Sequence, residues 1–140
     1  MEKRLIKREP LKIIIVDDSY MYRRVMKEFL ENELSCNVIG EAANGREFLE
    51  LDCISNVDIV LMDIQMPVLT GLDAVKQMLI THPKTKVIAV TMYNDKVYMS
   101  QLIEIGFKAC VLKTTFFDDI IPAFDKVLKG GMYFKDDIAV

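Results

Sequence analysis

Ile13-Ile14-Ile15-Val16-Asp17-Asp18-Ser19 sets four β-branched residues directly before two carboxylates and a hydroxyl. A continuous β-branched run of this length, with no polar residue at alternate positions, fits a strand covered on both faces of a parallel sheet. Val38-Ile39, Ile59-Val60-Leu61-Met62, Val87-Ile88-Ala89-Val90 and the run from Ala109 to Leu112 have the same character.

Helical patterns lie between these runs. Tyr22, Val25, Met26, Phe29 and Leu30 recur at i, i+3, i+4, i+7 and i+8 and form one apolar stripe, with Ser19 as N-cap. Ile120, Ile121, Phe124, Val127 and Leu128 repeat the pattern, and Gly130-Gly131 supplies the stop. Further helices are expected from Leu72 to Ile80, from about Asp95 to Ile105, and in a short piece beginning at Arg46 after the turn signal Asn44-Gly45. Strands alternating with helices predict an α/β fold: a doubly wound five-stranded parallel sheet with helices on both faces.

The 140 residues suffice for one domain with a full core, and 51% hydrophobic with 28% charged residues excludes a disordered chain. A net charge of -3 argues against a bare nucleic-acid binder. The basic cluster Lys3, Arg4, Lys7 and Arg8 is interleaved with Glu2 and Glu9, and reads as a solvated arm. Cys36, Cys53 and Cys110 are odd in number, far apart and without metal-ligand spacing, so reduced thiols in a cytoplasmic protein are expected. The apolar run after the basic start is interrupted by Lys12 and ends on two aspartates, which does not suit a signal peptide. No segment is long enough to span a membrane.

In an open parallel sheet, ligands bind where strands end, at the switch in strand order. The first polar residues after the apolar runs are Asp17, Asp18 and Ser19, then Asp63, then Thr91, then Lys113; nothing comparable follows the second run. Any one of these alone is an ordinary solvated strand end. Together they bring three carboxylates, a hydroxyl and an ammonium to one sheet edge. Three converging carboxylates repel, so a proton or a cation must be shared among them. A hard divalent ion with open positions for phosphate oxygens meets the need, and Mg2+ fits best. A carboxylate beside such an ion can attack a phosphoryl group and form an acyl phosphate. Lys113 would neutralise the phosphoryl oxygens and Thr91 would donate to one.

Asp17-Asp18, Asp63 followed by Met66-Pro67 and Gly71, then Thr91 and Lys113, resemble the signature of CheY-like response-regulator receiver domains. The resemblance runs from about Leu11 to Gly131. It leaves 1–10 as an N-terminal extension, 11–131 as the receiver domain and 132–140 as a C-terminal tail or the start of a linker. It implies the flavodoxin-like strand order 2-1-3-4-5. It also implies that Asp63 is the phosphoacceptor, that Asp18, Asp63 and the backbone carbonyl of Gln65 bind Mg2+ directly, and that Asp17 acts mainly through a bound water. Thr91 and Lys113 would contact the phosphoryl group. The partner would be a sensor histidine kinase, with a possible homodimer upon phosphorylation, and the chain would not itself be an enzyme beyond accepting and losing its own phosphoryl group.

Gly40-Glu41-Ala42-Ala43-Asn44-Gly45 and the segment from Val127 to Phe134 are most similar to receivers of LuxR/NarL-type transcriptional regulators, which reach DNA through a C-terminal helix-turn-helix. A stand-alone receiver acting by protein–protein contact is the alternative. Where such receivers carry an aromatic three residues before the lysine, this chain has Cys110, so the switch is expected to run from Thr91 into Met92-Tyr93-Asn94 and the following helix. Where many carry proline after the lysine it has Thr114, and a cis bond there would cost roughly 2.5–4 kcal/mol, so a trans bond is expected. Thr70 replaces a usual acidic or amide residue. His82 reads as a surface residue, and Met92, Met99 and Met132 as either core or a docking surface.

Other readings fit less well. A haloacid-dehalogenase-type phosphohydrolase places its nucleophile in Asp-x-Asp after the first strand. A flavodoxin-like cofactor binder needs a hydroxyl- and glycine-rich loop there, where Asp17-Asp18 would repel phosphate. A pseudo-receiver serving only dimerisation would not need the intact acidic, hydroxyl and lysine set.

Overall fold

The computed structural model describes residues 9–92 and 96–135, apart from the side chain of Lys96; the basic arm at 3–8 and positions 93–95 lie outside the described residues. The strands are β1 (Lys12–Val16), β2 (Asn37–Ala42), β3 (Ile59–Asp63), β4 (Lys86–Thr91) and β5 (Ala109–Leu112). The helices are α1 (Tyr20–Glu33), α2 (Gly45–Leu49), α3 (Gly71–Thr81), α4 (Lys96–Ile105) and α5 (Phe116–Leu128), with 3-10 turns at Asp52–Asn56 and Lys113–Thr115. All pairings are parallel and the order is β2-β1-β3-β4-β5, as expected.

Side chains alternate across each strand, so the β-branched runs feed two cores at once. Ile14, Val60, Met62, Val87 and Cys110 meet Phe48 of α2, Val75 and Met78 of α3, and Leu102 of α4. Ile13, Ile15, Leu61, Ile88 and Val111 meet Met26 and Leu30 of α1, and Ile120, Phe124 and Val127 of α5. Complete burial of such side chains stabilises by about 1.5–3 kcal/mol each, which is why the strand runs carry no polar residue. Met99 is part of the first core; Met92 and Met132 are exposed.

Helix starts are fixed by short polar side chains. Ser19 Oγ accepts the Tyr22 N–H at 3.1 Å. Asn44 Oδ1 accepts the Glu47 N–H at 2.9 Å while Glu47 Oε1 accepts the Ala43 N–H at 2.8 Å, so α2 begins at Gly45. Thr70 Oγ1 caps α3 by accepting the Asp73 N–H at 3.2 Å, which is the task the residue performs there. The C-terminal helix starts at Phe116, a turn before its apolar stripe, and runs through Pro122. It ends where Gly130 takes φ 89° and the Gly131 N–H donates to the Lys126 carbonyl at 2.9 Å.

The chain then returns to the sheet. Tyr133 bridges Ala109 in parallel; its N–H donates to the Lys108 carbonyl and its carbonyl accepts the Cys110 N–H, each at 3.0 Å. Tyr133 packs on one core and Phe134 on the other, as in a strand. The segment from 132 therefore begins as part of the folded unit. Sequence alone set it apart because a single bridge carries no periodic signal. Among the described residues no helix is long and apolar enough to cross a membrane.

Candidate functional site

The neighbours of β1 in the sheet are β2 on one side and β3 on the other, so the loops leaving β1 and β3 diverge and open a crevice above their ends. Asp17 and Asp18 follow β1, and Asp63 ends β3. The three carboxylates each place an oxygen within 4.8 Å of the others. Thr91 ends β4, one residue past Val90, the sheet partner of Asp63, and is buried. Lys113 follows β5 and brings its ammonium to 2.9 Å from Asp17 Oδ2 and 3.6 Å from Asp63 Oδ2. Asp17, Asp18, Asp63 and Lys113 thus meet in one crevice, with Thr91 buried at the end of the adjacent strand.

Asp17 is fully buried and held from several sides. Its N–H donates to the Ala42 carbonyl at 3.0 Å, its Oδ1 accepts the Ser19 N–H at 2.8 Å, and its carbonyl accepts Arg23 Nη1 at 2.6 Å. Arg23 Nε in turn donates to Glu41 Oε1 at 3.2 Å. Asp17 Oδ2 is the exception: it is buried, and the Lys113 ammonium faces it at 2.9 Å as an ion pair. Asp18 is exposed.

Asp63 is buried, and burial together with Asp17 pushes its carboxyl up to about 7; Lys113 and a hydrogen bond from the Gln65 backbone N–H pull the other way, and Asp18 adds to the rise. Burial alone would depress the Lys113 ammonium, but Asp17 and Asp63 outweigh it and hold it above its usual value. One ammonium faces three carboxylates. That donor set fits a hard divalent cation such as Mg2+ held among the carboxylates of Asp17, Asp18 and Asp63, directly or through water.

Gly71 explains the motif that follows Asp63. Its N–H donates to the Ile64 carbonyl at 3.0 Å, and a Cβ there would collide with the carbonyl of Asp63 itself. The start of α3 is thereby pressed against the residue at the centre of the site. In the same loop, exposed Val68 adopts φ 72°, a left-handed conformation that β-branched residues rarely take.

Two contributors to the site carry no signal in the sequence. The Tyr22 hydroxyl donates to the Lys113 carbonyl at 2.9 Å, and the Lys113 ammonium lies 4.4 Å from the centre of the Tyr22 ring. Arg23, next along α1, holds the Asp17 carbonyl. Sequence marks both as helix residues only, Tyr22 in the apolar stripe and Arg23 beside it, and neither pattern names a partner. Cys110 is buried in β5 and burial pushes its thiol up to about 12. No cis peptide bond occurs among the described residues, so the Lys113–Thr114 bond is trans as expected. His82 caps the end of α3, half-buried and beside Ser55 and Thr81.

Residues 13–125 match the family described as the response regulator receiver domain. The chain is 35% identical over 127 residues to the transcriptional regulatory protein YdfI of Bacillus subtilis (strain 168), covering 91% of this chain and 59% of that protein. It thus spans a little over half the length of the curated relatives it matches. A two-component response regulator of the LuxR family from Aurantimonas sp. SI85-9A1 superposes with a TM-score of 0.84 at 24% identity, covering 92% of each chain. The isolated receiver domain of RcsB from Salmonella enterica serovar Typhimurium, solved in the presence of the phosphomimetic BeF3-, superposes at 0.81 with 21% identity, covering 92% of this chain and 96% of that one. These last two likenesses establish the fold.

Proposed function

Because this chain belongs to the family of response regulator receiver domains, we propose that it takes a phosphoryl group from a sensor histidine kinase onto Asp63 and so switches a transcriptional output. The carrying observation is the crevice itself: Asp63 buried at the end of the central strand, with two further carboxylates within 4.8 Å and Lys113 Nζ at 3.6 Å. In this reading an Asp63 carboxylate oxygen attacks phosphorus, the bond from phosphorus to the donor's imidazole nitrogen breaks, and the histidine keeps the electron pair and takes up a proton. Lys113 offsets charge on the phosphoryl oxygens, and Thr91 donates to one of them. Bound Mg2+, held by Asp18, Asp63 and the Gln65 carbonyl, with Asp17 beside it, would supply charge neutralisation at the site.

The chain is a phosphoacceptor in this reading and turns over no separate substrate. Several curated relatives are transcriptional regulators by name, which supports a transcriptional output; in this reading the chain is cytoplasmic, reaches DNA through a separate C-terminal domain and dimerises upon phosphorylation. Acetyl phosphate with Mg2+ should add one phosphoryl mass to the wild type and none to Asp63→Asn. Labelling that persists in Asp63→Asn would overturn the assignment.

A further inference from the structure

Lys113 is fixed at both ends by one residue of a different element. The Tyr22 hydroxyl holds its carbonyl at 2.9 Å, while the Tyr22 ring lies 4.4 Å from its ammonium. A lysine side chain has four rotatable bonds and loses much rotamer freedom when ordered, so the place of its charge depends on what surrounds it. Here the ammonium has three neighbours: the Asp17 carboxylate, the Asp63 carboxylate and the Tyr22 ring. The carboxylates draw it down toward the floor of the crevice. The ring attracts through its face without imposing a hydrogen-bond direction. Ammonium held in this way can shift toward a new anion above Asp63 while keeping its ring contact. Without the ring, the two carboxylates alone would set its position, with Asp17 already the nearer at 2.9 Å.

We infer that Tyr22 is a positioning residue for Lys113: its ring face keeps the ammonium available to the phosphoryl group. This rests on the receiver reading given above. Among the described residues Tyr22 makes no hydrogen bond to Asp17, Asp18 or Asp63, and its direct contacts with the site run through Lys113.

The test separates phosphoryl-mimic binding from metal binding. Affinity for Mg2+ alone, and for beryllofluoride at saturating Mg2+, is measured by calorimetry on the wild type, Tyr22→Phe, Tyr22→Leu and Asp63→Asn. Tyr22→Leu should bind beryllofluoride about threefold to thirtyfold more weakly, the range for one desolvated cation–ring contact, with its Mg2+ affinity within twofold of wild type. Tyr22→Phe keeps the ring and should stay within about threefold of wild type for both. Should Tyr22→Leu not fold, Tyr22→Met carries the same expectation. Equal beryllofluoride affinity in wild type and Tyr22→Leu overturns the inference, as does a parallel loss of both ligands or a loss in Tyr22→Phe as large as in Tyr22→Leu. If wild type binds no beryllofluoride, or Asp63→Asn binds it equally well, the receiver reading fails first and the inference with it.

Discussion

Lys113 stands nearer to buried Asp17 than to Asp63, 2.9 Å against 3.6 Å. Asp17 is therefore already compensated by a resident cation, whereas exposed Asp18 has no ion-pair partner among the described residues. Mg2+ affinity should fall more in Asp18→Asn than in Asp17→Asn, by at least about tenfold, since even outer partners of a metal ligand cost 10–100-fold. Calorimetric titration of the two variants decides it. A larger loss in Asp17→Asn would reverse the assigned roles.

Asp63 should make metal-free stability depend on pH. Its carboxyl titrates near 7 in the fold, against 3.8 for the unperturbed group. The folded chain thus holds this proton more tightly, so the stabilising contribution is complete below about pH 4 and is lost as pH rises through 7. Asp63→Asn mimics the protonated form at every pH. It should match wild type near pH 4 and exceed it at pH 8 by on the order of 2 kcal/mol, allowing for solvent screening. Urea unfolding at both pH values, with chelator present, measures the gap. A gap that does not widen with pH contradicts the burial argument.

Val68 spends conformational energy without packing in return, since it takes φ 72° while 69% exposed. Asparagine tolerates that region better, so Val68→Asn should raise stability by about 0.5–1 kcal/mol. Thermal unfolding of the variant checks the sign. Unchanged or lower stability would mean that the Val68 side chain has a packing role in solution.

Asp119 ties the end of the chain to the turn that follows Lys113. It accepts Thr115 Oγ1 at 2.7 Å and the Tyr133 hydroxyl at 3.0 Å, with Lys135 Nζ at 3.0 Å. Burial pushes its carboxyl up, but these three partners more than offset that and leave it below the usual value. The contribution is therefore present above the ordinary carboxylate range and is lost as pH falls through the lowered value. Asp119→Ala should cost about 1–3 kcal/mol at pH 7 and speed hydrogen exchange at the Cys110 and Tyr133 amides. Unaltered exchange at those two amides would show that the backbone bridge stands without the side-chain clamp.

The strand runs were legible because burial on both faces leaves one kind of side chain acceptable, and the first polar residue after each run marked the site. Asp17, Asp18, Asp63, Thr91 and Lys113 could be read in this way without knowing any distance. The start of α5 at Phe116 was less visible, since its apolar stripe becomes periodic only from Ile120. Tyr22 and Arg23 could not be found at all. Each looks like any other helix residue, and what distinguishes it is a contact 91 or 6 residues away along the chain. Tyr133 belongs to the same class: one bridge leaves no pattern.

That bridge has a bearing on how the protein behaves in crowded solution. The outer side of β5 would otherwise offer a free amide at Cys110 and a free carbonyl at Lys108, the template on which a second chain can add a strand. Tyr133 occupies both groups. A chain shortened to residue 131 would keep every residue of the crevice yet expose that edge, and should self-associate into aggregates at concentrations where the longer chain stays dispersed.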